Sequence, residues 1–275
     1  MPANSSRFNR FLVLLLVQFT TFPLAYGQLP QLNPQQLNWL GQQIFANECS
    51  SSYQCLTSWN PGEDFPSLGI GHFIWYQAQQ TEPFEETFPA LIAFYNERSV
   101  PIPRWLQVNP DAPWPDRQSF LAELDSPELE QLRQFLATSM DIQVEFISRR
   151  LYTTIDAIVA HFPESQQSAI ETGFIELANS HPPLGLYALI DYLHFKGSGL
   201  QAGEAYQGQG WGLLQVWQQM QGQPAGLEQF VTAASSILTT RVANAPAERN
   251  EQRWLQGWIK RLHTYLPAAE QTIQR

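Results

Sequence analysis

A mainly helical α+β fold, with one small β-hairpin beside a cleft, is what this sequence predicts, and three observations predict it. Apolar residues recur at helical spacing through most of the chain; Val144, Ile147, Leu151, Ile155, Ile158 and Phe162 alone make a stripe of about five turns. Helical spacing stops over residues 67–76, where glycines mix with Phe73, Ile74, Trp75 and Tyr76 as in a short hairpin. Proline-rich and glycine-rich passages separate the periodic segments, and no internal repeat or low-complexity linker interrupts them.

The elements follow in order. Asn33-Pro34 supplies an N-cap and a proline at the first helical position. Leu37, Leu40, Gly41 and Ile44 then form a core-facing stripe whose last member is Glu48. Residues 49–64 are turn-rich (Ser50-Ser51-Ser52, Asn60-Pro61-Gly62), so no helix is expected there. Residues 84–98 read as helix. Residues 99–116 do not, because Pro101, Pro103, Pro110, Pro113 and Pro115 break any regular element. Ser126-Pro127 opens the next helix. The long stripe follows, and Pro163 ends it. Helices over about 164–179 and 184–195 precede a glycine-rich passage, and further helices cover about 211–220, 226–243 and 247–265.

The N-terminus reads as a leader rather than as structure. Arg7 and Arg10 precede the apolar run Phe11-Leu12-Val13-Leu14-Leu15-Leu16-Val17, and Ala25-Tyr26-Gly27 fits a small-x-small cleavage site. The run is too short to span a bilayer stably, and no other segment is long and apolar enough. Residues 1–27 are therefore expected to be a signal peptide and residues 28–275 one domain of two lobes, periplasmic or secreted. With Arg7 and Arg10 gone, 13 basic residues face 25 acidic ones, a net of −12 against −10 for the whole chain. That balance argues against nucleic acid, whose phosphates demand Lys and Arg. It would suit a cationic glycan, or simply solubility.

Cys49 and Cys55 are the two cysteines, and in an exported chain the pair reads as a disulfide. A bridge there pins the residues after Glu48. Two cysteines and five scattered histidines give no metal-ligand spacing, so no metal is assigned. A nucleotide loop of the Gly-x-x-x-x-Gly-Lys type is absent, and no cofactor is expected.

Glu48 stands about twenty residues ahead of Ser67-Leu68-Gly69-Ile70-Gly71-His72. Over residues 33–76 this arrangement resembles the catalytic segment of phage-type lysozymes and the lysozyme-like superfamily, lytic transglycosylases included. There a glutamate ending the first helix is the general acid, and a hairpin carrying Thr-x-Gly-x-Gly-His walls the sugar cleft. The resemblance implies a lysozyme-like fold, a polysaccharide substrate such as peptidoglycan, and Glu48 as proton donor. Partial desolvation at the edge of a buried stripe would raise its pKa, as a general acid needs. Ser67 takes the place of the family's threonine. His72 matches its histidine, expected to hold the hairpin by hydrogen bonds or to touch substrate. The family aspartate, about six residues before the threonine, falls here on Pro61, so Glu63 becomes the expected second carboxylate, with Asp64 beside it. A lytic transglycosylase would need none.

Two later segments carry binding candidates. Asp191-Tyr192-Leu193-His194-Phe195-Lys196-Gly197-Ser198-Gly199 is similar to the Asn-Phe-x-Gly-x-Gly segment of chitinase- and chitosanase-like enzymes, with His194 where an asparagine is expected. Gln207, Gln209 and Gln215 flank Trp211, and sugars stack on indoles while amides read hydroxyls. His72, Trp75, Gln209 and Trp211 are the substrate-binding candidates; Trp59, Trp105 and Trp114 are further platforms, against the bland alternative of core packing. Arg241, Arg249, Arg253 and Arg261 read as ion-pairing residues of a packed helix pair. The rival to an enzyme is a non-catalytic glycan-binding envelope protein.

Overall fold

The computed structural model describes residues 29–80 and 85–268. The leader expected over residues 1–27 lies outside them. The chain is mainly helical, with a small three-stranded antiparallel sheet and a separate two-stranded one. Its elements are α1 (Pro34–Cys49), a 3₁₀ turn (Tyr53–Leu56), β1 (Thr57–Ser58), β2 (Ser67–Leu68), β3 (Phe73–Ile74), α2 (Phe88–Glu97), α3 (Arg104–Val108), α4 (Arg117–Ala122), α5 (Pro127–Thr138), α6 (Met140–Ala160), α7 (Glu164–Asn179) and α8 (Leu184–Lys196). There follow β4 (Ala205–Tyr206), β5 (Gln209–Gly210), α9 (Leu213–Gln219), α10 (Leu227–Asn244), a second 3₁₀ turn (Ala247–Arg249) and α11 (Gln252–His263).

Local chemistry accounts for the starts and stops. Asn33 caps α1 by accepting from Gln36 N, while Gln36 Oε1 accepts from Asn33 N, so two orphan donors are satisfied reciprocally. Ser126 caps α5 by accepting from Leu129 N, and α6 stops at Ala160, ahead of Pro163. Proline placement explains the helices that arise where prolines forbid a long one. Pro103 precedes α3, where its missing N–H costs nothing, and Asp116 caps α4 by accepting from Ser119 N. The expected single helix over 247–265 is split: residues 247–249 form a 3₁₀ turn, Asn250 takes a left-handed conformation, and α11 starts at Gln252.

The three-stranded sheet has the order β1-β2-β3, with Thr57 opposite Leu68 and Leu68 opposite Phe73. It sits on the central helix α6, where the Phe73 ring of β3 meets Phe146 edge-on at 5.6 Å and one amide side chain holds the turn. Gln143, fully buried, accepts from Ile70 N at 2.9 Å and donates to Leu136 O at 2.7 Å. Gly69 turns with φ +70, and a Cβ there would lie 2.3 Å from Gln143 Oε1. The Gly-x-Gly stretch is thus a turn pressed onto that amide at Gly69 and onto the Phe73 ring at Gly71, which favours glycine at both. Arg133 of α5 anchors the sheet's other side by donating to Thr57 Oγ1 at 2.9 Å.

α1 lies along α6, α7 against α8, and α10 against α9 and α11. One hydrophobic cluster runs from Leu29 to Leu266. α8 is buried almost all round, Gly185 to Tyr192 without a break, and so is the most interior helix of the C-terminal half. No helix among the described residues is long and apolar enough to cross a membrane.

Candidate functional site

α1 delivers Glu48 in its last turn, with a side chain 16% exposed. Cys49, the next residue, forms a disulfide with Cys55. The bridge holds the chain just beyond the carboxylate.

Arg261, from α11 at the other end of the chain, donates through Nη2 to Glu48 Oε1. It also grips Asp191 of α8 with both prongs, Nε to Oδ2 and Nη2 to Oδ1, each 2.8 Å. Asp191 is 1% exposed and takes two further bonds, from the Tyr265 hydroxyl at 2.6 Å and from Asn47 Nδ2 at 3.0 Å. Asn47 also donates to the Tyr187 hydroxyl at 2.7 Å. Such a carboxylate is fully satisfied, as a buried charge must be. Burial alone would lower the affinity of Arg261 for its proton, but Asp191 and Glu48 outweigh it and the guanidinium stays charged. The Tyr265 phenol is pushed well above its ordinary value by burial and by Asp191, which keeps it a donor. Phe195 closes the guanidinium's face at 4.1 Å. One oxygen of Glu48 is thereby fixed; the other, Oε2, faces His72 Nδ1 at 3.9 Å, beyond hydrogen-bond reach.

His72 follows the glycine turn with φ +45, a left-handed conformation unusual for histidine. Its Nε2 approaches the disulfide, 3.4 Å from Cys55 Sγ and 3.7 Å from Cys49 Sγ. Burial lowers its pKa; Glu48 and Glu63 push it up, His194 pushes it down, and the net is downward. The imidazole is therefore neutral at neutral pH. Glu48, Glu63 and His194 all lie within electrostatic reach of this one ring.

Glu63 stays in its own turn, where Oε2 accepts from Asn60 Nδ2 at 3.2 Å and its carbonyl accepts from Trp59 Nε1 at 2.7 Å. With Asp64 it borders an open groove of about 640 Å³, shared with Trp59, Gln77, Gln80 and Arg117. Glu48 is not in that lining. Ser67 is 4% exposed in the middle strand, paired with Ser58 and Ile74, and its carbonyl accepts from Ser58 Oγ. It belongs to the sheet, and no contact with Glu48 is seen for it among the described residues.

The aromatic platforms need correction. Trp59, Trp75, Trp114 and Trp211 are 4%, 1%, 3% and 7% exposed, too buried to stack on a sugar. The Trp75 indole donates to Pro110 O at 3.1 Å and packs on Phe88, and that of Trp114 donates to Glu123 at 2.8 Å. Trp211 lies between Arg241 at 4.0 Å and Tyr206 at 4.6 Å. Gln209 is exposed on β5, and its amide oxygen accepts from Asn244. The glycines after α8 are also structural. Gly197 and Gly199 both have positive φ, and their loop wraps the Glu204 carboxylate, which accepts from the backbone N–H groups of Ser198, Gly199 and Gln201.

Arg261, Asp191, Asn47 and Tyr265 were not picked out as site residues from the sequence. One signal pointed to Asp191: it is a lone acid within a helix apolar on every side, and such a charge must have a partner. Arg261 does form ion pairs, as expected, but with Glu48 and Asp191 rather than with acids on its own helix pair; Arg241 and Arg249 both pair with Glu251.

No family model matches the chain, and neither the curated proteins nor the solved structures contain a match to it.

Proposed function

We propose that this chain is an exported glycosidase cutting the β-1,4 links of peptidoglycan, as a hydrolase or as a lytic transglycosylase, with Glu48 as the general acid. One observation carries the reading. Glu48 ends a helix with one oxygen clamped by a buried Arg261–Asp191 pair and the other, among the described residues, without a hydrogen bond beside His72. A carboxyl held this way keeps a fixed orientation while Oε2 is free to hand a proton to the glycosidic oxygen. Rigid placement of the donor is itself a catalytic contribution.

Once the leaving sugar is protonated, the oxocarbenium-like centre needs a nucleophile. Glu63 would take the proton from an attacking water in hydrolysis. In transglycosylation the sugar's own 6-hydroxyl attacks, closing an anhydro ring and returning its proton to the Glu48 carboxylate, and Glu63 is dispensable. A second substrate reading has its own support: the net charge of −10 suits a cationic polymer such as chitosan.

The test is release of soluble glycan from purified peptidoglycan and, in parallel, from chitosan, by the chain freed of residues 1–27 and by its Glu48→Gln variant. Mass spectrometry separates reducing ends from anhydro ends. Cleavage by the parent and a loss of about 100-fold or more in the variant are expected. If neither polymer is cut, or the variant cuts as well as the parent, the catalytic reading fails and a glycan-binding role is left.

A further inference from the structure

The disulfide and His72 together have a geometry that a bridge alone does not need. Cys49 Sγ, Cys55 Sγ and one ring nitrogen of His72 lie within 4.8 Å of one another. The nitrogen concerned is Nε2, at 3.4 Å and 3.7 Å from the two sulfurs. A tetrahedral zinc ion with bonds of about 2.3 Å to sulfur and 2.0–2.1 Å to nitrogen sets N···S edges at about 3.5 Å. Both edges are therefore close to the required length before any metal is present. The S···S edge is the one that must change, and it would open to about 3.8 Å once the bond is broken. The Cα atoms stand 5.4 Å apart, a separation that side-chain rotation can accommodate.

The outer side of the ring fits as well. Metal-bound histidines ordinarily present their other nitrogen to a carboxylate or carbonyl, which fixes the tautomer and strengthens the ligand. His72 Nδ1 faces Glu48 Oε2 at 3.9 Å, close enough to tighten into a hydrogen bond. Glu48 is itself held by Arg261, so the carboxylate–histidine–metal order would be anchored from behind.

We propose that the reduced chain is a metal site. Cys49 Sγ, Cys55 Sγ and His72 Nε2 take one thiophilic divalent cation such as Zn²⁺, with Glu48 as outer partner of the imidazole and a fourth position left to water. A dithiol reductant supplies two electrons and two protons to the bridge and leaves as its own disulfide. The two thiols formed release two protons as the cation binds. Bridge and metal exclude one another, so the same three side chains give two chemically distinct states beside Glu48. This does not depend on the glycosidase reading, because its readout is metal binding rather than glycan release.

The experiment uses the chain from residue 28, bridged or reduced by a phosphine that is removed before titration, under argon. Zn²⁺ is titrated against a chromophoric chelator, and Co²⁺ serves as the spectroscopic probe. The expected result is that the reduced chain takes a single Zn²⁺ from the chelator and the bridged chain takes none. Co²⁺ gives the near-ultraviolet thiolate band and the visible bands of a tetrahedral site. His72→Gln loses the site, and Glu48→Gln weakens it by about 10-fold to 100-fold. Equal binding by bridged and reduced chains, the absence of a thiolate–cobalt band, or binding unchanged in His72→Gln would each overturn the proposal. The last result would mean that the thiols bind metal without the folded arrangement, and that His72 only packs against the bridge.

Discussion

Asp191→Asn tests whether the buried pair holds the site together. The substitution conserves shape and removes one charge. In the parent, Asp191 accepts two bonds from Arg261 at 2.8 Å, one from Tyr265 at 2.6 Å and one from Asn47 at 3.0 Å. All four bonds come from donors on these three residues, so the new amide NH₂ confronts at least one of them whichever way it is turned. Arg261 is left with Glu48 alone in a place where its side chain is 13% exposed. Breaking a buried ion pair by removing one partner costs about 3–5 kcal/mol. In a chain of this size each kcal/mol moves Tm by roughly 2–4 °C, so a fall of roughly 6–20 °C is expected. The assay is thermal and urea unfolding at neutral pH with the disulfide intact, on Asp191→Asn, Arg261→Met and the double variant. The double variant should be less destabilised than the sum of the singles by about 1–3 kcal/mol, because the second change removes the charge that the first strands. A single variant within about 0.5 kcal/mol of the parent, or strict additivity, would refute the reasoning.

Two further outcomes follow from the same structure. Gly69→Ala should lower stability by more than Gly62→Ala: both positions have positive φ, but a Cβ at 69 meets Gln143 at 2.3 Å and one at 62 meets nothing within 4 Å. Left-handed alanine costs about 1–2 kcal/mol at either site, so an equal fall in urea midpoint would deny the Gln143 contact. Lys196, 7% exposed against the rings of Trp258 and Phe195, is brought down to about 6 by burial and by Arg241 and Arg261. Its folded pKa lies below its unfolded one, so the unfolded chain binds the extra proton. The cost to stability is full below about pH 6 and falls as pH rises toward 10.5, by up to about 1.4 kcal/mol per pH unit. Unfolding free energy from pH 6 to 8 should rise less steeply in Lys196→Met; identical slopes would contradict this.

Much of the architecture was legible from local signals. Asn33-Pro34, Ser126-Pro127 and Pro163 mark helix boundaries because capping and proline geometry act within one turn. The stripe from Val144 to Ile158 marks α6 because its inner face is continuously buried. Glu48 at the end of α1, the hairpin after it and the Cys49–Cys55 bridge were likewise readable, since all lie within about thirty residues. The partners of Glu48 were not, because Asp191 and Arg261 meet it through tertiary contacts that no local pattern encodes. The tryptophans misled for a related reason. An indole in a glycine- or proline-rich segment reads as exposed, yet Trp59, Trp75 and Trp114 each find a backbone or carboxylate acceptor and fill the core. Trp254, unremarked as a platform, is the exposed one, at 39%.

Arg261 reaches Glu48 across 213 residues of sequence. The carboxylate and its hairpin are made first, and the guanidinium that orients them follows 213 residues later. Until α11 docks, Glu48 is an untethered acid and Asp191 is a buried charge lacking its guanidinium partner. Loss of α11, by premature termination or by a protease cutting before Gln252, would therefore unclamp Glu48 while leaving every residue of the hairpin in the chain. The clamp on Glu48 is closed by α11, so its completion requires that α1, α8 and α11 have all come together.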